Sequence, residues 1–124
     1  MSVKEKNDRL IDVTKRPDMN EIMAATDAII TDYSTCIFEG FLTGQPGFIY
    51  ADDLEEYVKD RGDMMFGLDE IPFSAASNNE ELVENILAFD ESKYRARSNC
   101  LIRENGIIKD SSSAKKVIKL LEQF

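Results

Sequence analysis

Apolar residues along the chain fall into short bursts divided by polar turns, and the period of each burst predicts an element. Ala28-Ile-Ile30 is a compact apolar run that stops at Thr31-Asp32. Ser34-Thr35 then opens a stretch with apolar residues at Ile37, Phe38 and Phe41. This pattern predicts a buried strand over 28–31, a tight polar turn, and a helix over Ser34–Leu42 whose first turn is capped by a hydroxyl. Upstream, Leu10-Ile-Asp-Val13 predicts a short strand within Arg9–Val13 that ends at Thr14. Pro17-Asp18 starts a helix with Met19, Ile22 and Met23 at helical spacing, closed by Asp27. Thr43-Gly-Gln-Pro46 is a stop and turn, and Gly47-Phe-Ile-Tyr50 a further strand. Strand and helix alternating at this spacing imply parallel strands joined by right-handed crossovers.

Beyond Tyr50 the pattern loosens. Asp52–Asp60 has the composition of a short helix but runs into Arg61-Gly62 and a Met64-Met65-Phe66 cluster, so residues 52–70 are read as a functional loop or irregular excursion. The methionine–phenylalanine cluster suits a core or partner contact. Ile71-Pro-Phe-Ser-Ala75 predicts an edge strand, because Pro72 cannot donate to a ladder. Ser77 or Asn78 caps a helix whose apolar stripe is Leu82, Val83, Ile86 and Leu87. Glu91–Glu104 reads as a helix with a solvated charged face, ended by Asn105-Gly106. Ser111-Ser-Ser113 caps a last helix, with Val117, Ile118, Leu120 and Leu121 directed at a core. The expectation is one α/β domain over 1–124, a small parallel-sheet Rossmann-like unit, with strand–helix alternation over 1–76 and a helical part over 77–124.

The 124 residues can form a real core but are few for a complete two-substrate enzyme. With 43% hydrophobic and 31% charged residues the chain should fold. A net charge of −9 repels a phosphodiester backbone over most of the surface, which argues against a nucleic-acid partner. Any phosphate ligand therefore needs local donors. No apolar run is long enough to cross a bilayer, and the charged start lacks a signal-like apolar region, so a cytoplasmic location is expected. Cys36 and Cys100 have no metal or redox spacing, and no metal or cofactor site is expected. Histidine is absent altogether, which removes a histidine base from this chain's own chemistry.

The candidate chemistry gathers at strand ends. Free amides at the start of the Ser34–Leu42 helix, with the positive end of its dipole behind them, suit an anion such as a phosphate. Geometry alone favours the plainer reading of Ser34 as a helix cap. Asp32 would orient the turn through its own side chain. Thr14, Asp32–Thr35 and Tyr50–Asp53 would all lie at the carboxyl edge of the sheet, where ligands of such folds sit. Arg61 could meet a phosphate or pair with Asp60 or Asp63.

Ordered blocks then resemble a known family. Asp12-Val-Thr, Pro17-Asp-Met-Asn-Glu, Thr26-Asp-Ala-Ile-Ile-Thr-Asp-Tyr-Ser-Thr, Asp53-Leu-Glu-Glu-Tyr and Asp60-Arg-Gly together resemble the C-terminal region of the CDP-glycerol glycerophosphotransferases. Enzymes of that family prime or polymerise teichoic acid and related poly(alditol phosphate) chains at bacterial membranes. The resemblance implies part of the C-terminal half of a GT-B glycosyltransferase fold, holding a CDP-glycerol or CDP-ribitol donor. It implies donor-phosphate contact by Ser34 and Thr35, and contact of Glu39 with glycerol or ribose hydroxyls. Thr35 stands where the family has a second serine, and Glu39 where aspartate is commoner, which alters reach. The family's histidines lie upstream. The resemblance therefore implies no catalytic residue in this chain, a need for the upstream half, no transfer by the chain alone, and a parent enzyme peripheral to the cytoplasmic face of the membrane.

Two other classes compete. A receiver-like phosphoacceptor or regulatory module would use Asp12, Asp32 and Asp52-Asp53 to hold Mg2+, although no lysine stands convincingly where receivers place theirs. A structural interaction domain would associate through its sheet edge, giving a homodimer.

Overall fold

A computed structural model describes residues 8–62 and 66–124. In chain order the elements are α1 (Met19–Ala24), β1 (Ile29–Thr31), α2 (Cys36–Thr43), β2 (Gly47–Tyr50), α3 (Leu54–Arg61), β3 (Ser74–Ala76), α4 (Asn79–Leu87), α5 (Glu91–Glu104) and α6 (Ser113–Leu121). The three strands form one parallel sheet in the order β1-β2-β3, with Thr31 opposite Ile49 and Ile49 opposite Ala75. Phe48 and Ile49 on the central strand are both buried, so β2 is covered on both faces, as parallel strands require.

Local chemistry explains most boundaries. The Asp18 carboxylate accepts the Asn20 amide at 2.8 Å and starts α1. Gly44, at φ 91°, ends α2 in the left-handed conformation that a side chain would disfavour. Asn78 caps α4 by accepting the Glu81 amide at 2.9 Å, while Glu81 reaches back to the Ser77 amide at 2.8 Å and its hydroxyl at 2.9 Å. Those bonds favour the ionised form and hold the Glu81 carboxyl below its ordinary pKa.

The core is a cluster of Ile37, Phe41, Ile49, Ala51, Ile71, Phe73, Tyr94 and Leu101. Phe73, 2% exposed, meets Phe41 edge-on at 6.0 Å and Tyr94 at 6.4 Å between ring centroids. The Tyr94 hydroxyl donates to the Gln45 carbonyl at 2.7 Å, tying α5 to the turn before β2. The Gln45 amide group in turn donates to Met23 O and Thr26 O, both at 2.6 Å, anchoring the end of α1.

Several expectations are corrected. Leu10–Val13 forms no strand: its apolar residues are exposed, Ile11 at 83%. Asp12 accepts both the amide and hydroxyl of Thr14, and Val13 O accepts the Arg16 amide, so the segment closes on itself as a turn. Residues 52–70 are not wholly irregular, since Leu54–Arg61 is helical. Met64 and Met65 lie outside the described residues; Phe66 is half-buried against Phe38. The strand expected at 71–75 begins only at Ser74, because the Asp69 and Ile71 carbonyls accept the Arg97 guanidinium instead of a ladder partner. The apolar stripe of α4 is largely exposed at Val83, Ile86 and Leu87, since α4 meets β3 through Asn85, which donates to Ala75 O at 3.0 Å. On α6, Val117, Ile118, Leu120 and Leu121 are all more than half exposed and face no core. Helical periodicity sets which face is apolar, not what covers it.

Candidate functional site

The turn between β1 and α2 is built by its own side chains. Asp32 Oδ1 accepts the Ser34 amide at 3.1 Å, bending the chain out of the strand. Thr35 occupies the cap position of α2 and makes no side-chain capping bond. The Ser34 hydroxyl accepts the Cys36 amide only at 3.4 Å, beyond the usual range for such a bond. The expected hydroxyl cap is therefore nearly unused. Both hydroxyls are exposed beside the start of an eight-residue helix.

A cavity of about 250 Å³ opens at this turn. Asp32, Ser34 and Thr35 form one wall, Tyr57, Arg61 and Gly62 of the α3 region another, and Ile37, Phe38, Ile49, Phe66, Leu68 and Ile71 the apolar floor. Arg61 is exposed and, among the described residues, makes no ion pair; the alternative partner Asp63 lies outside them. It is the one cation among the described lining residues and Asp32 the one carboxylate. Ser34, Thr35 and Arg61, singled out separately in the sequence, thus share a cavity.

The remaining candidates do not join them. Glu39 lies further along α2 and lines a different depression with Asn20, Met23 and Thr43. Neither Thr14, bonded to Asp12, nor any of Tyr50–Asp53 lines the cavity; of the three loops expected to converge only the Asp32–Thr35 turn does, met by the end of α3. Among the described residues no group of three acidic, cysteine or histidine side chains is placed to hold a metal ion. Asp12, Asp32 and Asp52-Asp53 therefore do not assemble the carboxylate cluster a receiver-like module needs.

Sequence reasoning gave no role to two residues that organise the site. Tyr33, in the middle of the turn, donates its hydroxyl to Asp53 Oδ1 at 2.8 Å. Its ring stacks on Tyr57, with centroids 3.8 Å apart and planes 23° apart. Burial first, then the bond to Asp53 and the charges of Asp53, Asp52 and Asp32, raise the Tyr33 pKa well above its ordinary value. The phenol is thus a donor throughout the neutral range. The signal was present: Asp53, Tyr57 and Arg61 recur every four residues, on one side of a helix.

Comparison with known proteins gives a consistent result. The family model for CDP-glycerol:poly(glycerophosphate) glycerophosphotransferases matches residues 1–123. The teichoic acid ribitol-phosphate primase of Bacillus spizizenii is 30% identical, over 97% of this chain and 31% of its own length. The teichoic acid glycerol-phosphate primase of Bacillus subtilis is 31% identical, over 100% of this chain and 32% of its own. The teichoic acid glycerol-phosphate transferase of Staphylococcus aureus is 30% identical, over 73% and 23%. The chain thus spans less than a third of the length of these relatives. In three dimensions it is similar to a variant of the wall teichoic acid polymerase TagF, at a TM-score of 0.70 and 22% identity, over 91% of this chain and 28% of that one. The α/β fold therefore corresponds to part of the fold of that polymerase.

Proposed function

The chain belongs to the CDP-glycerol:poly(glycerophosphate) glycerophosphotransferase family, and on that premise we propose that its Asp32–Thr35 turn, with Arg61, holds the phosphates of a CDP-alditol donor. The observation that carries this reading is the shared cavity: two hydroxyls with almost no capping duty, a helix start and a guanidinium that makes no ion pair among the described residues line one space. Each supplies what a diphosphate requires. The helix start contributes roughly 0.3–1 kcal/mol toward an anion. Arginine adds a planar, bidentate donor that stays charged at any physiological pH. These local donors offset the unfavourable field of a chain with net charge −9.

The donor class is a nucleoside-diphosphate alditol, with glycerol and ribitol left as alternatives because relatives named for each are equally similar, at 31% and 30% identity. Glu39, outside the cavity, receives the glycerol or ribose hydroxyls of the donor in this reading and stands on its own test. Glu39→Gln should weaken a CDP-alditol relative to CDP if it holds the alditol, or both alike if it holds the ribose, and no effect on either removes the assignment. With no histidine to act as a base, the 124-residue chain binds donor and does not transfer. Transfer belongs to a longer enzyme with an upstream half, working at the cytoplasmic face of the membrane. No described helix is itself long and apolar enough to cross one.

Titration of the chain with CDP, CDP-glycerol and CDP-ribitol, followed by amide chemical shifts, tests the proposal. Signals of Ser34, Thr35 and Arg61 should move. Arg61→Ala should weaken CDP about tenfold, the worth of one charge-assisted contact. Binding with no shift at the turn overturns the site, and mass-detected alditol phosphate transfer by the chain alone overturns the claim of inactivity.

A further inference from the structure

Resting on the donor-site reading above, we propose that Tyr33, Tyr57 and Asp53 form a clasp that sets the rotation of α3 and so positions Arg61 over the Ser34–Thr35 turn. Helix α3 begins with a cap that is not made. Asp53 occupies the N-cap position of α3, where an aspartate ordinarily accepts an amide of its own helix, yet it makes no such bond. Its carboxylate accepts the Tyr33 hydroxyl at 2.8 Å instead. A helix stripped of its cap is tied to the turn it faces.

The second tie lies one helical turn on. Tyr57, whose amide bonds the Asp53 carbonyl at 2.9 Å, stacks its ring on that of Tyr33 at 3.8 Å. Arg61 follows after another four residues, so positions 53, 57 and 61 drift by only about 40° per step around the helix. Fixing the first two therefore directs the third. Among the described residues few other contacts hold α3: it is eight residues long, too short to be stable alone, none of its residues is buried, and Leu54 at its first turn is half-buried against the core. Leu54 fixes only the start of the helix, so the hydrogen bond and the stacked ring pair are what restrain its rotation toward the turn and where the guanidinium points.

Tyr33 and Tyr57 are positioning residues here, and their contribution to anion binding should vanish when Arg61 is removed. The test measures pyrophosphate affinity by calorimetry on the full chain. Tyr33→Phe, which keeps the stack but deletes the hydroxyl, should weaken binding about fivefold, as should Tyr57→Leu. Tyr57→Phe should restore the wild-type value, because the stack needs only a ring. In an Arg61→Ala background Tyr33→Phe should cause no further loss, a coupling that general destabilisation would not produce. Equal weakening in both backgrounds overturns the clasp. Hydrogen exchange needs no ligand and separates the two levels of inference. Tyr33→Phe should speed exchange of the α3 amides and leave those of β2 unchanged. If wild-type chain binds no pyrophosphate, the donor-site reading fails; if α3 exchange is unaltered by Tyr33→Phe, the clasp fails regardless of binding.

Discussion

Replacing Gly47 by alanine sets two opposing effects against each other, and the structure decides between them. Gly47 opens β2, and its φ is not positive, so the backbone itself accepts a side chain. Removing a strand glycine would by itself stabilise by roughly 0.5–1 kcal/mol through the unfolded chain. A methyl group there, however, would stand 2.8 Å from Phe73 Cδ1 and 2.8 Å from Ile37 Cγ1. Ordinary carbon contacts are about 3.5–4.0 Å, so both neighbours must yield by roughly 0.7 Å or more. Neither has room, since Phe73 is 2% and Ile37 3% exposed. Overpacking of this kind costs about 1–3 kcal/mol. The net expectation is a loss of up to about 2.5 kcal/mol, or a midpoint lowered by up to roughly 10 °C for a domain of this size. Urea unfolding followed by circular dichroism measures it. The cause is isolated by repeating the change in a Phe73→Leu background, where the ring is gone and the added methyl should cost less. A stabilised Gly47→Ala protein, or additivity of the two changes within about 0.5 kcal/mol, would refute the packing argument.

Three further outcomes are expected. Asn78→Ala should destabilise by about 1 kcal/mol through loss of the α4 cap, seen as a lower urea midpoint with an unchanged slope. The Glu81 carboxyl should titrate below its ordinary value of 4.5 in an NMR pH series. Because its pKa is depressed by folding, the associated stability is present above the unfolded pKa and is lost as pH falls through the folded one; Ser77→Ala should move the midpoint back up. Tyr94→Phe should cost about 1–3 kcal/mol by leaving the part-buried Gln45 carbonyl without its partner, measured by the same unfolding assay.

How much was legible in the sequence varies with the kind of contact involved. Elements set by local signals were readable: Asp18 before α1, Gly44 after α2, Asn78 before α4, and the apolar runs of β1 and β2 all act within a few residues of themselves. What failed depended on distant partners. Leu10–Val13 has strand composition, but Asp12 and Thr14 satisfy each other first. The stripes of α4 and α6 show the right period, yet only tertiary placement reveals that most of both faces solvent. Within the site, Ser34, Thr35 and Arg61 were nameable from chemistry, and their meeting in one cavity was not, because 26 or more residues separate the turn from Arg61. The tie between Tyr33 and Asp53, across 20 residues, was invisible for the same reason.

The bare apolar arc of α6 has a practical corollary for anyone handling this chain. Environment-sensitive dyes such as ANS report expanded, molten states because those states uncover greasy surface. Here the fully folded chain already presents Val117, Ile118, Leu120 and Leu121 on one helix. Bright dye fluorescence at room temperature would then be a property of the native fold, and melting should be followed by ellipticity instead.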